Sequence, residues 1–571
     1  MRFFQAFQSN FLPKGHCLYY NKTVEKGEDK MNRKKIFIIF LTVVLFTLPF
    51  AGITALADSY DSYSIYVDGK KISETGFYTK GNVYLPVSMI GTYCKNDGVS
   101  LDEKNKQLLI DVSKENIMLA DDTVTDFVKA NAGTITIPLK TLNSELCFSI
   151  NAMSQFFKLD YSLSGKSIKL RELTGKETVA RVCIDEAVAV PSLDSASDER
   201  LTLKKGQRVY IEGTTDNYSI ISDYDGNLYY VLSGSIATED IDLSSVDFYA
   251  AKKTKFVQKA NDRINLVWQY VSEVTPQAPE AISGIDILAP TWFRLKVNDG
   301  GNVTNSGDRG YSDLAHSAGY MVWATITNNM SVSGSTKFTT AMFADSSIEN
   351  RAVAQYILYS CIYDADGINI DFEDVTDADR DGLTAFTKKM RRYTERQGLN
   401  LSIDTLVPAS WTVEYDRKTL SNYVDYLAVM TYDEHYSGSK TAGSIASLPW
   451  VEKAVKGCID EGVPSRKLLM GVPLYTRIWI VDGSGNIVSK SSATMSTVQN
   501  TLRINNAVTT YLDKEKQNYA EYATSTGTAK IWIEDSTSIK NRLELAESYN
   551  LAGTACWQFS QASSDIWSLF E

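Results

Sequence analysis

The last 320 or so residues of this 571-residue chain alternate apolar, strand-length segments with amphipathic, helix-length ones. That alternation limits the fold more than any other feature. It is the pattern of parallel βα units, in which helices cover the faces of a parallel sheet. Eight strands are predicted, at 264–270, 285–289, 321–326, 368–373, 399–403, 426–431, 467–472 and 553–559. Helical stretches at 314–318, 347–363, 380–397, 420–424, 448–461 and 536–549 separate them. Eight such units in about 320 residues fit a TIM-type (βα)8 barrel with insertions, whose functional side chains stand at the C-terminal ends of the strands. The gap between Tyr475 and Gly553 is too long for one crossover. It holds a hairpin at 479–488, a helix at 498–506 and a strand at 529–533, so an α+β insertion over about 476–535 is expected to form one wall of a cleft.

The fourth predicted strand carries the chemistry. Side chains alternate across a strand, so Asn369, Asp371 and Glu373 share one face while Ile368, Ile370 and Phe372 share the other. Apolar residues flank the stretch, Cys361-Ile362-Tyr363 before it and Val375 after. Two carboxylates and an amide therefore line a face that belongs to a core. Unpaired buried carboxylates are costly, which makes catalysis the better explanation of this face than structure.

The rest of the chain excludes several classes. A formal charge of −11, with eight Lys/Arg against three Asp/Glu in the first 57 residues, leaves an acidic body with no basic run. Nucleic acid is not an expected partner; an uncharged polymer such as a glycan is compatible. With three histidines (His16, His316, His435), no metal site is expected, and no cofactor or protein partner is predicted. The seven cysteines form no CxxC pair and read as small buried hydrophobes.

Met31-Asn32-Arg33-Lys34-Lys35, the apolar run 36–50 and Ala55-Leu56-Ala57 read as a secretory signal peptide over about 31–57, with Met31 the expected start and an uncleaved membrane anchor the alternative. The expected location is secreted or cell-wall associated. Residues 58–172 read as a small α+β domain with an internal repeat: Val83-Tyr84-Leu85-Pro86-Val87 is echoed by Ile135-Thr136-Ile137-Pro138-Leu139, then a helix at 150–157 and a hairpin at 159–170. Residues 173–248 hold short strands at the spacing of a small β-barrel. The expected architecture is multidomain: the α+β domain, the β-barrel, then the TIM barrel over 252–571.

Three resemblances follow. The run VDGKKI…NVYLPVSMI…KNKQLLIDV (67–112) resembles the copper amine oxidase N-terminal-like domain of secreted and wall-associated bacterial proteins, without a histidine to hold copper. LKKGQRVYIEG…YDGNLYYVLSGSI (203–236) resembles a bacterial SH3-type barrel, a module that docks on wall peptides or serves as a spacer. Asp366-Gly367-x-Asn369-x-Asp371-x-Glu373 resembles the D-G-x-D-x-D-x-E signature of glycoside hydrolase family 18. The match continues in order through Met430-Thr431-Tyr432-Asp433, Gly471-Val472-Pro473-Leu474-Tyr475-Thr476-Arg477 and Gly553-Thr554-Ala555-Cys556-Trp557.

That resemblance implies substrate-assisted hydrolysis. Glu373 would protonate the leaving oxygen, and the substrate's own 2-acetamido oxygen would attack. Asp371 would brace the acetamido N–H, Tyr432 would donate to its carbonyl, and Trp557 would floor the sugar. Asn369, Asp433, Arg477 and Tyr475 would contact substrate, while Asp366 and Gly367 would be structural. Asn369 departs from the family's usual Asp, which points away from chitin and leaves Asp371 with no partner to share a proton. Trp292 and Trp411, after strands two and five, would stack on sugar or cap the barrel; His435 reads as a loop residue. The implied function is a secreted retaining glycosidase cleaving β-1,4 bonds after N-acetylglucosamine in peptidoglycan or chitin oligomers of the cell wall. The alternative is an inactive barrel serving as a glycan-binding lectin or wall scaffold.

Overall fold

The computed structural model of the protein describes residues 59–174, 177–194, 200–238, 245–259 and 262–571. The expected leader at 31–57 and Cys17 lie outside these. Among the described residues, no helix is long and apolar enough to cross a membrane.

Eight strands form the barrel: β1 Ile264–Gln269, β2 Ile287–Pro290, β3 Met321–Thr327, β4 Gly367–Asp371, β5 Asn400–Thr405, β6 Tyr426–Val429, β7 Leu468–Pro473 and β8 Gly553–Trp557. Each pairs in parallel with its sequence neighbours, and β8 pairs with β1, so the sheet closes on itself. Every residue of β1, β5 and β7 is buried, as a sheet filled inside and covered outside requires.

The outer helices are α1 Arg309–Ser317, α2 Ser335–Ala344, α3 Ser346–Ile362, α4 Arg380–Gln397, α5 Arg417–Ser421, α6 Leu448–Glu461 and, after the insertion's own helix α7 Met495–Ile504, α8 Ser536–Ser548. Their ends follow local chemistry. Asp308 and Asp345 accept hydrogen bonds from the first-turn N–H groups of α1 and α3. Gly398 (φ 79°) and Gly462 (φ 106°) end α4 and α6 in left-handed backbone. The described β1–β2 connection, residues 270–286, runs without a helix. Helix α2 and the short hairpin Phe293–Leu295 with Val303–Asn305 had no counterpart in the sequence pattern. One shift matters for the site: β4 ends at Asp371, so Glu373 stands two residues beyond the strand rather than at its end.

The insertion after β7 is a five-stranded antiparallel sheet with α7 packed on it. It is tied to the barrel by a fully buried ion pair, Arg542 of α8 to Glu534. The region 178–238 is one seven-stranded antiparallel sheet around Ala180, Val182, Leu203, Val209, Ile221 and Val231. The region 61–172 holds a seven-stranded and a three-stranded sheet. Its first hairpin turns at Asp68-Gly69, both with positive φ, as the Asp-Gly signal requires. The expected repeat is corrected here. Thr134–Pro138 pairs with Gln107–Asp111 in the small sheet, and the strand that precedes the short helix Ile150–Met153 is Glu145–Ser149, bonded to Asn82–Pro86. The two apolar runs with a central Pro look alike in sequence, but only one leads into a helix. The cysteine expectation also needs amending: Cys94, Cys147, Cys458 and Cys556 are buried, Cys361 is partly buried and Cys183 is exposed.

This N-terminal region is clamped onto the barrel flank, and the two share one continuous apolar core. Gln355 of α3, 1% exposed, donates to the carbonyls of Ala132 (2.8 Å) and Thr134 (3.3 Å) and accepts from Val303 N–H (2.9 Å). Tyr359 Oη accepts from Thr136 N–H at 2.7 Å, and Phe127 stacks on Tyr393 with centroids 3.9 Å apart. Gly81 (φ 82°) lies so close to the Gly310 carbonyl that a Cβ there would meet it at 2.6 Å. A cavity of about 510 Å³, lined by Gln155, Arg181, Arg208, Lys253 and Asp364 among others, lies where the three regions meet, below the N-terminal ends of β4 and β5.

Gln355→Ala strands the buried Ala132 carbonyl and the buried Val303 N–H at this seam, each uncompensated group costing about 1–3 kcal/mol. Denaturant unfolding should show the loss at unchanged slope; a change within about 0.5 kcal/mol, the range of an ordinary surface substitution, would mean the seam bears no stability.

Candidate active site

The C-terminal mouth of the barrel is built on the inward face of β4. Gly367, Asn369 and Asp371 point inward in turn. Gly367 has no side chain because a Cβ would meet the Trp323 indole at 2.7 Å. Asn369, fully buried, uses all its hydrogen-bonding capacity. Its Nδ2 donates to Asp404 Oδ1 (2.8 Å) and Ser402 Oγ (3.0 Å); its Oδ1 accepts from Trp268 Nε1 (2.9 Å) and Thr325 Oγ1 (3.1 Å). An indole N–H can only donate and a carboxylate can only accept, so the amide orientation is fixed by its partners.

Asp404, the inward residue near the end of β5, is the group sequence reasoning missed. The β4–β5 register opposes Asn369 to Ser402 and Ile370 to Ile403, which sets Asp371 beside Asp404 on the same inward face. The expectation that Asp371 lacks a carboxylate neighbour is therefore corrected. The alternation argument that selected Asp371 would have found Asp404 had it been applied to 399–405.

Three carboxylates meet here. Glu373 is 7% exposed; burial and the charges of Asp371, Asp374, Asp404 and Asp433 push its pKa well above the usual range. Asp371 is pushed up to about 7 by burial. Asp404 is raised by burial and by Asp371, against a hydrogen bond from Asn369. Asp371 Oδ1 is buried with no hydrogen-bond partner. Asn328 holds the backbone of Glu373 at both ends, accepting from its N–H at 3.2 Å and donating to its carbonyl. Tyr415 Oη donates to the Phe372 carbonyl at 2.9 Å. Tyr432, just past β6, lies in the field of Asp404, Asp371 and Glu373, and its hydroxyl is held un-ionised by burial and those charges. Trp557, half-buried at the end of β8, tilts against Trp268 with centroids 6.0 Å apart.

Asp433 is held in left-handed backbone (φ 62°). It accepts from Tyr475 Oη at 2.6 Å and from Arg477 Nη2 at 2.8 Å. Tyr475 and Arg477 are 2% and 4% exposed, so both brace Asp433 from behind rather than line the open cleft. Gly471 lets β7 pass close to β6: a Cβ there would meet Thr431 N and Val429 O at 2.7 Å.

The remaining expectations separate by position. Asp366 lies at the opposite end of β4 and takes no part in the mouth. Its carboxylate meets His316 Nε2 (2.7 Å), Lys253 Nζ (2.7 Å) and the Val322 N–H (2.9 Å). Burial would raise its pKa, but His316 and Lys253 outweigh that and hold it low. Trp292 is fully buried, donates to Thr275 Oγ1 at 3.1 Å and packs on Tyr311, so it is core and not a sugar platform. Trp411 is 56% exposed after β5. His435 is a loop residue, its Nδ1 2.8 Å from the Ser444 carbonyl oxygen. Among the described residues, no group of three or more His, Cys, Asp or Glu is placed to hold a metal ion.

Residues 304–562 match the family described as Glycosyl hydrolases family 18. A Bacillus subtilis protein named as a sporulation-specific glycosylase, YdhD, is 30% identical over 250 residues, 42% of this chain and 57% of that protein. The cortical fragment-lytic enzyme of Bacillus subtilis is 24% identical over 243 residues, 39% of this chain and 53% of that enzyme. The chain thus spans little more than half the length of these relatives. The crystal structure of the Bacillus cereus spore cortex-lytic enzyme SleL is 20% identical, with 55% of this chain and 76% of that one covered and a TM-score of 0.48.

A carboxyl whose folded-state pKa is raised is protonated in the folded chain while the unfolded chain has released its proton, so stability falls as pH rises between the two values. For Asp371 that window runs from its ordinary value of about 3.9 to about 7. Asp371→Asn should therefore lose less stability than wild type between those limits in urea unfolding; parallel curves would show that Asp371 is not buried as an acid.

Proposed function

We propose that this chain is an exported glycosidase that hydrolyses β-1,4 bonds following N-acetylglucosamine in cell-wall glycan, with retention and by substrate assistance. The observation that carries the reading is Glu373, a buried carboxyl kept protonated at the mouth of a closed barrel. A purely binding barrel would have no use for it. Glycosidic cleavage needs a proton at the leaving oxygen as the C1–O bond breaks, and a carboxyl that holds its proton near neutrality can deliver it.

The geometry fits the remaining steps. The flanking Asp371 and Asp404 carboxyls retain negative charge between them, with no ion pair to a cation among the described residues. Their negative field suits the positive charge that develops when the substrate's acetamido oxygen closes on C1. Asp371 presents an unpaired buried oxygen able to accept the acetamido N–H. The Tyr432 hydroxyl, held un-ionised, donates to the acetamido carbonyl oxygen and aims it. Trp557 supplies an apolar floor, and Asp433, fixed by Tyr475 and Arg477, accepts from sugar hydroxyls. Once the leaving sugar departs, Glu373 as carboxylate takes a proton from the incoming water, which opens the intermediate and restores the acid.

Peptidoglycan is the favoured polymer over chitin. The relatives that support this choice include two whose names refer to sporulation and to cortical fragments, although a probable chitinase of Drosophila melanogaster also matches over 27% of this chain. We read the regions 58–172 and 173–248 as copper amine oxidase N-terminal-like and SH3-like modules that hold the barrel at the wall after export.

Glu373→Gln keeps the shape of the site and removes the acid. On purified peptidoglycan and on chitin oligomers, with mass analysis of new reducing ends, kcat should fall by about 10²–10⁴-fold with KM little changed. Full activity in the variant, or no new N-acetylglucosamine reducing ends from wild type, would end this reading.

A further inference from the structure

The buried carboxyl of Asp404 lies inside the barrel with no role in the scheme above, and its neighbours account for it only in part. It is 2% exposed. Its side chain accepts a hydrogen bond from Asn369 Nδ2 at 2.8 Å. It stands one strand over from Asp371, at the matching inward position, about 5 Å away by the spacing of neighbouring strands. Asp371 meanwhile has a buried oxygen with no partner. Two carboxyls at that separation in a desolvated site cannot both be ionised unless a cation sits with them.

Among the described residues, the surroundings supply no such cation. From β4 and the loop beyond it come Glu373 and Asp374; from the loop after β5, Tyr415 and Glu414; from the end of β6, Tyr432 and Asp433; from β7 and the insertion, Tyr475 and Arg477; from β1 and β3, the neutral donors Trp268 and Thr325. Arg477 is engaged by Asp433. Arg417 is spent on the Leu406 carbonyl, Thr412 and Glu461. A third carboxylate at 369 would sit among these acids and lose the hydrogen bond to Asp404. An amide there donates to Asp404 and accepts from Trp268. Asn369 and Asp404 thus behave as an exchanged pair, with the carboxyl moved from β4 to β5.

We infer that Asp404 is the positioning residue that shares one proton with Asp371, letting Asp371 be the charged member of the pair when it faces the substrate's acetamido N–H. The inference rests on the proposed reaction for its catalytic consequence, while the shared proton itself does not. In the bond-breaking step the Glu373 proton leaves with the departing oxygen, the acetamido oxygen bonds to C1, and the Asp371–Asp404 proton stays within the pair, on Asp404. The raised pKa values of both carboxyls agree with this.

The test uses the full chain as wild type, Asp404→Asn, Asn369→Asp and the double exchange Asn369→Asp/Asp404→Asn. Infrared titration of the protein alone should show a protonated carboxyl that persists towards neutrality in wild type, weakens in Asp404→Asn and returns in the double exchange. On N-acetylglucosamine oligomers, Asp404→Asn should lower kcat by about tenfold or more with less effect on KM. The double exchange should recover most of the rate along with the infrared signature, which a merely structural Asp404 could not explain. An unchanged infrared titration in Asp404→Asn, or a double exchange no better than Asp404→Asn, would overturn the inference. A wild type inactive on these oligomers would overturn the proposed function instead, with the infrared result still deciding whether the proton is shared.

Discussion

Asp371, Glu373 and Asp404 crowd together at the mouth of a closed parallel sheet, and the Arg477 guanidinium is taken by Asp433. The rest of the mouth follows from that imbalance. Acids crowded in a low-dielectric interior keep protons instead of charges, so a proton is available where a leaving oxygen can take it. The same crowding dictates the neutral donors around it. Asn369, Ser402, Thr325 and Trp268 form a fully satisfied polar layer beneath the acids, which keeps the acids in place without neutralising them. Buried polar groups arranged this way fix geometry when every member is paired; above them, Asp371 Oδ1 is buried without a partner.

Support for this mouth comes from far down the chain. Asp366 anchors the lower end of β4 through His316 and Lys253, and Lys253 belongs to the segment that enters the barrel from the N-terminal regions. The region 58–172 lies against α3 and α4 through hydrogen bonds and stacked rings. A module clamped so tightly is not a tethered arm.

Most of the barrel was legible because its strands are buried on both faces and its helices start and stop at Asp, Pro and Gly signals. The eight strands appear in the expected order, with ends shifted by a few residues. The shifts matter at Glu373, where the backbone leaves the strand after Asp371 and turns at Asp374 in left-handed conformation, a change that side-chain alternation cannot register. Asp404 was missed for a different reason: a lone acid in an apolar strand gives no motif, and its meaning depends on a register between two strands. Tyr475 and Arg477 were legible as members of a motif, but their role as braces of Asp433 depends on a contact across 42 to 44 residues. In the N-terminal region, two apolar runs with a central Pro looked equivalent, yet pairing partners sent them to different sheets.

The central claim is that buried acids serve a substrate that brings its own nucleophile. Proton NMR of the first products from N-acetylglucosamine oligomers, run beside the matched deacetylated oligomers, tests it most directly. The account predicts that the acetylated chain is cut with the β-anomer appearing first and that the deacetylated chain is left intact. An α-anomer appearing first, or equal cleavage of both chains, would contradict it.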